Sequence, residues 1–412
     1  MVFPTSTKRN FSFAGALTSV TALGVVALTG CTASTGGGSF QDSFAMSGQE
    51  QSGQSDAFYE GPQSSSPDVP VFDDERDAAE IARSMSVEQK AAALLMVHFP
   101  GVEPGAFSAF TAELQPAGII LMGDNTELGS EVTAELISAA QSAAQWPLLI
   151  AIDQEGGTVS RLSDDPSDGP EVLRTLSPEE IETQMRNRAE FLHSLGINTN
   201  FGIVADVTGD PNSFIWQRVL GTDAEMAATN VAAAVKGENE GDVYSTLKHF
   251  PGHGATIGDS HNSIPETDLT FEEWEQGPGL PFQAGIDAGA ELVMMGHLAF
   301  TDVSSSPASL SSEWVDILRN DMGFDGVIVV DDMRMLSDSG LPEYSDAGKN
   351  AVRALAAGND LILYIFPAGA DPIMALSELV DAVVTAVEDG TLDEEELTES
   401  VERVLELRLA AW

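Results

Sequence analysis

Cysteine is almost absent from this sequence: Cys31 is the only one in 412 residues. A single thiol excludes an intrachain disulfide and a cysteine-built metal site. Basic residues are scarce as well, 18 Lys and Arg against 65 Asp and Glu, for a net charge of −47. Lysine is especially rare. Nucleic acid is excluded as a partner, because phosphate contacts need a basic face. Hydrophobic residues make up an ordinary 43%, so the chain has enough apolar surface for one large domain or two smaller ones. The acidity speaks to solubility and environment rather than to fold.

Charge is missing altogether between Phe11 and Leu28, a run of small and apolar residues preceded by Lys8 and Arg9. This is the pattern of a secretion signal over residues 1–30. It ends in Leu28-Thr29-Gly30-Cys31, a string that resembles the lipobox of bacterial lipoproteins, whose cysteine is lipidated and becomes the new N-terminus. An ordinary signal, or a membrane-spanning helix followed by a chance cysteine, fits the same residues. Removing residues 1–30 takes Lys8 and Arg9 and no acidic group, leaving −49.

Residues 32–75 lack Lys and Arg and have few large aliphatics, with Ser, Gly, Gln and Asp in their place. Such a segment buries too little apolar surface to offset its ordering entropy. With Cys31 it reads as a tether, residues 31–75, spanning roughly 35–40 Å r.m.s..

From residue 76 onward, short apolar runs alternate with amphipathic stretches. Strands are predicted near 93–99, 117–123, 147–153, 197–207, 243–250, 291–298, 326–332 and 359–366, and helices over 129–145, 178–194 and 223–240. Continuous apolar runs suit buried parallel strands, and alternation with helices indicates a parallel sheet. Eight such units suit a single (β/α)8 TIM-type barrel over residues 76–412. A doubly wound open sheet has the same alternation. The last helix is expected to begin with a capping box of Thr391 and Glu394.

In a barrel, chemistry gathers where strands end. The third strand runs into DQEGGTVSR (153–161), the fourth leads to QRVLG (217–221), and the fifth runs into KHFPGHG (248–254) followed by GDSH (258–261). The sixth carries Gly296 and His297, and the seventh ends in Asp331-Asp332. Asp331, after four apolar residues, sits where a glycosidase nucleophile belongs. A strand-terminal carboxylate that caps the next helix is the simpler reading, and Asp332 fits it. Asp259 and His261 flank Ser260, and a carboxylate beside an imidazole makes a competent general acid and base; two solvated loop residues would look the same. Lys248 and His249 read equally as strand-end and core residues. The glycine-rich loop does not match a P-loop, and no HExxH spacing joins His249, His253 and His261, so no metal or cofactor is called for.

Together these strings resemble the bacterial family-3 β-N-acetylglucosaminidases, from about residue 85 to the end. The resemblance rests on KHFPGHG with DSH following, DQEGG-V-R, PASLS (307–311) and the 323–333 stretch ending in DDM. It implies that Asp331 is the nucleophile, His261 the acid/base and Asp259 its partner, on a loop that closes over substrate. It implies that Asp153, Arg161, Arg218, Lys248 and His249 bind the terminal sugar. Thr158, Ala255 and Val330 depart from the family's usual arginine, aspartate and serine, which bears on substrate preference. The activity implied is exo-acting, retaining hydrolysis of terminal β-linked N-acetylglucosamine from cell-wall fragments or chitin-type oligosaccharides, by a monomeric, lipid-anchored, extracytoplasmic enzyme without cofactor. Phosphorolysis, another family-3 β-glycosidase activity and a non-catalytic wall-binding barrel are the alternatives.

The acid excess predicts stability that rises with salt. Raising NaCl from about 0.1 to about 1 M shortens the screening length from about 10 to about 3 Å and should raise the Tm of the domain from residue 76. An unchanged Tm would mean that surface self-repulsion is negligible.

Overall fold

A computed structural model describes residues 74–367 and 369–411. The signal, Cys31 and almost all of the tether predicted above lie outside the described residues.

All eight predicted strands form, each trimmed to its buried centre. They are β1 (Leu95–Val97), β2 (Gly118–Leu121), β3 (Leu149–Ile152), β4 (Thr199–Val204), β5 (Tyr244–Phe250), β6 (Leu292–Met295), β7 (Val327–Val330) and β8 (Ile362–Tyr364). Nearly every strand residue is buried, which is why the strands read as unbroken apolar runs. All pairings are parallel, in the order β8-β1-β2-β3-β4-β5-β6-β7. The ends of this order meet: Val329 bridges Leu361 in parallel, and Val330 N–H and Leu361 N–H donate to Leu361 and Ile328 carbonyls at 3.0 Å each. The sheet therefore closes into a (β/α)8 barrel, and the doubly wound alternative falls. A short parallel ribbon, Glu266–Thr267 with Ala299–Phe300, lies outside it.

Local chemistry sets the crossover helices. Pro178–Ser194 starts at Ser177, whose hydroxyl accepts from Glu180 N–H while Glu180 reaches back to Ser177 N–H at 2.9 Å, and Pro178 occupies the first turn, where no N–H is needed. Its buried Ile181, Met185, Ala189 and Leu192 repeat at helical spacing. The 129–145 and 223–240 predictions appear as Ser130–Gln141 and Ala224–Glu240.

The last helix, Glu394–Ala410, buries the predicted Leu397, Val401, Val404 and Leu405 but starts differently. Asp393, not Thr391, is its N-cap, accepting from Glu395 and Glu396 N–H at 2.8 and 3.2 Å. Thr391 is taken up by the preceding turn, its hydroxyl donating to Asp389 at 2.5 Å. A carboxylate next to the first turn is the stronger cap. Arg408 ties this helix to the start of β3, donating to Pro147 and Trp146 carbonyls at 2.6 and 3.2 Å.

Asp360 supports the closing seam. Fully buried, it accepts from Ile328 N–H on β7 at 2.8 Å, from Arg403 of the last helix at 2.9 Å and from Arg319. Asp360→Ala would strand a buried N–H and two guanidinium groups. We expect denaturant unfolding to show a loss of about 3 kcal/mol, the lower end for breaking a buried pair because both arginines retain some contact with water. A loss below about 1 kcal/mol, the range of an exposed pair, would mean that the seam does not depend on it.

Candidate active site

The C-terminal ends of the strands open into a cleft of about 600 Å³. Asp153, Arg161, Arg218, Lys248, His249, His261 and Asp331, all singled out from sequence, line it. Asp259 stands behind His261. Glu155, Phe214, His253 and Asp332 also line it, and Asp206 and His297 support it from beneath.

The turn after β3 needs its glycines. Gly156 has φ +83°, and a Cβ there would sit 2.5 Å from the Arg188 guanidinium. Arg188 is fully buried and pins this turn, donating to the Glu155 and Asp168 carbonyls at 3.0 and 2.8 Å and to Asp165 at 2.7 Å. Gln154 fixes the returning segment, its side-chain oxygen accepting from Arg161 and Leu162 N–H at 2.9 and 3.0 Å. Asn200 of β4 in turn clamps the Gln154 backbone, accepting its N–H and donating to its carbonyl, each at 3.1 Å.

Asp153 and Glu155 flank this clamped residue, and Lys248 bridges them: Nζ lies 3.0 Å from Asp153 Oδ1 and 2.6 Å from Glu155 Oε1. Arg161 binds the other Asp153 oxygen at 3.1 Å. Arg218 grips Glu155 with two parallel bonds of 2.9 and 2.7 Å, the geometry a planar guanidinium favours. Burial pushes both carboxyls up, but the cations outweigh it: Lys248 and Arg161 bring Asp153 down to about 2, and Lys248 and Arg218 also leave Glu155 lowered. Burial pulls the Lys248 ammonium down, and Glu155 and Asp153 reverse this, leaving it raised and charged.

At the end of β5 the Lys248–His249 and Phe250–Pro251 peptide bonds are both cis. His249 Nδ1 donates to Asp206 at 2.8 Å, and Nε2 accepts from Arg218 at 3.3 Å. Burial and then the Arg218 charge hold its pKa well below the usual imidazole value, so this ring is neutral with its tautomer fixed. Burial raises Asp206 to about 6, against the opposing pull of His253 and Arg218.

Asp331 follows β7 as predicted, and its N–H donates to Met295 O at 3.0 Å. Burial pushes its carboxyl up; His249, His297, the Asp332 N–H and Lys248 bring it below the ordinary range, so it is ionised. Asp332 is structural, although Met333 rather than Asp332 is the N-cap of the helix that follows: it accepts from Arg334 and Ile365 N–H at 3.1 and 2.9 Å, and burial raises it to about 7. His297 donates to the Asp332 carbonyl at 3.0 Å and faces the Ser309 hydroxyl at 2.7 Å. Burial lowers its pKa.

The 253–265 loop carries His261, whose side chain is 58% exposed. Its Nδ1 and backbone N–H both contact Asp259 Oδ1, at 2.6 and 3.0 Å. The two hydrogen bonds from His261 outweigh burial and lower Asp259. The loop base is held where His253 Nε2 meets Ser260 Oγ at 3.1 Å.

Glu155, Asp206 and His297 received no role from sequence, although each follows a strand. Their partners lie far along the chain, so strand-end position was the sole available signal.

Glu238 makes the Asn200 clamp sensitive to pH. Burial lifts its carboxyl to about 8, and its Oε1 accepts from Asn200 at 2.6 Å. A raised acid keeps its proton in the folded state after the unfolded chain has released it. Stability from this group is thus greatest below about pH 4.5 and falls until about pH 8. The slope is about 1.4 kcal/mol per pH unit. Glu238→Gln retains the acceptor without the charge, so denaturation curves from pH 5 to 8 should lose this component of the decline. A slope identical to wild type would show that Glu238 does not titrate there.

Comparison with known proteins places this arrangement. Residues 86–407 match the glycosyl hydrolase family 3 N-terminal domain. A β-hexosaminidase of Stenotrophomonas maltophilia is 34% identical over 290 residues, 67% of this chain and 81% of that protein. The solved family-3 β-N-acetylglucosaminidase of a Paenibacillus species superposes with a TM-score of 0.73 at 34% identity, covering 80% of this chain and 63% of its own longer one. The β-N-acetylhexosaminidase of Beutenbergia cavernae gives 0.68 at 27% identity, covering 78% of this chain and 98% of that one. With one family pattern running from the helix before β1 into the C-terminal helix, the chain belongs to glycosyl hydrolase family 3 and is a glycosidase.

Proposed function

We propose that this glycosidase is a retaining exo-β-N-acetylglucosaminidase that removes terminal β-linked N-acetylglucosamine from cell-wall fragments, with chitin-type oligosaccharides as the alternative substrate. The observation that carries the reading is one cleft lined by both an ionised, half-buried Asp331 and His261, whose ring is paired with Asp259 behind it. The names of the relatives above supply the N-acetyl sugar.

In this reading Asp331 attacks the anomeric carbon while His261 gives its Nε2 proton to the glycosidic oxygen, releasing the rest of the substrate. Asp259 accepts from Nδ1, which leaves Nε2 as the nitrogen that exchanges protons. Water then attacks the covalent glycosyl-enzyme, His261 takes its proton, and the sugar leaves with retained configuration. The cluster of Asp153, Arg161, Arg218 and Lys248 orients the terminal sugar through charge-assisted hydrogen bonds, and His249 completes that wall. Residues 1–30 are read as a lipoprotein signal, Cys31 as the lipid anchor, 31–75 as the tether and 76–412 as a monomeric catalytic domain outside the cytoplasm.

The test is hydrolysis of an aryl β-N-acetylglucosaminide, with and without phosphate. Asp331→Asn should lower kcat/KM by at least about a thousandfold. His261→Ala should slow poor leaving groups most, by about a hundredfold or more. Residual turnover by Asp331→Asn near wild type would remove the nucleophile assignment. A sugar 1-phosphate product would replace hydrolysis with phosphorolysis.

A further inference from the structure

We propose that the Phe214 ring is the platform for the sugar on the leaving-group side of the scissile bond. The inference rests on the assignment of His261 as the general acid. An acid that protonates the glycosidic oxygen lies between the two sugars. The terminal sugar is enclosed by the buried charges, so the departing pyranose lies on the outer side of His261. Phe214 stands beside this acid: its ring centroid is 5.8 Å from that of His261 and 5.4 Å from that of His253, with the Arg218 guanidinium 5.8 Å from the same ring.

Exposure distinguishes Phe214 from the other apolar groups. Among the described residues, it alone of the large apolar side chains lining the cleft counts as exposed, at 42%. Its backbone is nonetheless pinned on the C-terminal side. Ile215 is fully buried against Val204 and Val219, and Arg174 lies 4.5 Å from the Trp216 ring centroid while donating to the Trp216 carbonyl at 2.7 Å. The part of this ring left open to water, on a fixed segment beside the acid, offers a surface that suits a partner with an apolar face. A β-linked pyranose has one, because its equatorial hydroxyls leave the axial C–H groups exposed. The negative face of an aromatic ring attracts such C–H groups. The ligand class is therefore a β-linked N-acetylhexosamine residue in the leaving position.

The experiment compares kcat/KM for N-acetylglucosamine β-1,4-disaccharide, whose leaving group is a sugar, with that for methyl β-N-acetylglucosaminide, whose leaving group is methanol. The ratio is read within one preparation, so a partly unfolded fraction cancels. Phe214→Ala should lower the disaccharide-to-methyl ratio by about tenfold, the scale of one aromatic contact, and Phe214→Trp should restore it. A ratio unchanged by Phe214→Ala, including an equal fall in both substrates, overturns the platform and makes Phe214 a prop for His261 at most. Wild-type protein inert toward both substrates overturns the N-acetylglucosaminidase reading as well, which separates the two failures.

Discussion

The buried ammonium of Lys248 is the constraint on which the site depends. An unpaired cation in this position would cost several kcal/mol in lost hydration. Two carboxylates, Asp153 and Glu155, answer it, and each carries a second cation, Arg161 or Arg218. The chain has few basic residues and spends three of them within one connected cluster. The three cations draw on three different barrel loops or strands, so the cluster fixes their relative placement as well as their charge. Asp153, Arg161 and Arg218 remain partly exposed to the cleft, and their hydrogen-bonding capacity is aimed before a sugar arrives. Such pre-set dipoles stabilise developing charge without reorganising during the reaction.

The side of the cleft that carries the proposed acid is held differently. His261 and Asp259 are joined across two residues on a loop, with both side chains substantially exposed. Their pairing is local, so it survives displacement of the loop without cost to the barrel, whereas moving Lys248 would strand buried charge. Rigid binding groups and a locally assembled acid pair are thus separable parts of one cleft, joined through His253, Ser260 and Phe214.

The fold was legible because each strand is buried on both faces, so burial alone dictates its composition. The strand ends were not, since a residue such as His98 leaves the sheet while the apolar run continues to Phe99. Closure was not legible either: the Val329–Leu361 bridge joins the last two strands by geometry that no local pattern encodes, and an open sheet has the same alternation. The Thr391–Glu394 box misled because Thr391 and Asp393, two positions apart, compete to cap one helix and Asp393 prevails. In the site, Asp331, Asp259 and Lys248 stood out through strand-end position or short spacing. Asp206 and Glu155 matter through partners 43 and 63 residues away, and Phe214 through its exposure beside His261; only the fold brings these together.

The histidines show how the cleft separates fixed charge from mobile protons. His249 and His297 are buried, lowered in pKa and tautomerically fixed, one by Asp206 and Arg218, the other by the Asp332 carbonyl and Ser309. Neither supplies a positive charge at neutral pH. The positive field comes instead from Lys248 and Arg218, whose carboxylate partners raise their pKa and keep them charged, with Arg161 paired to Asp153 beside them. In the proposed reading, an acid–base step at His261 therefore proceeds beside cations that keep their charge as the proton moves. In that reading the cations that orient the terminal sugar are the same in both halves of the proposed double displacement, and one histidine acts first as acid and then as base without Lys248 or Arg218 changing charge between them.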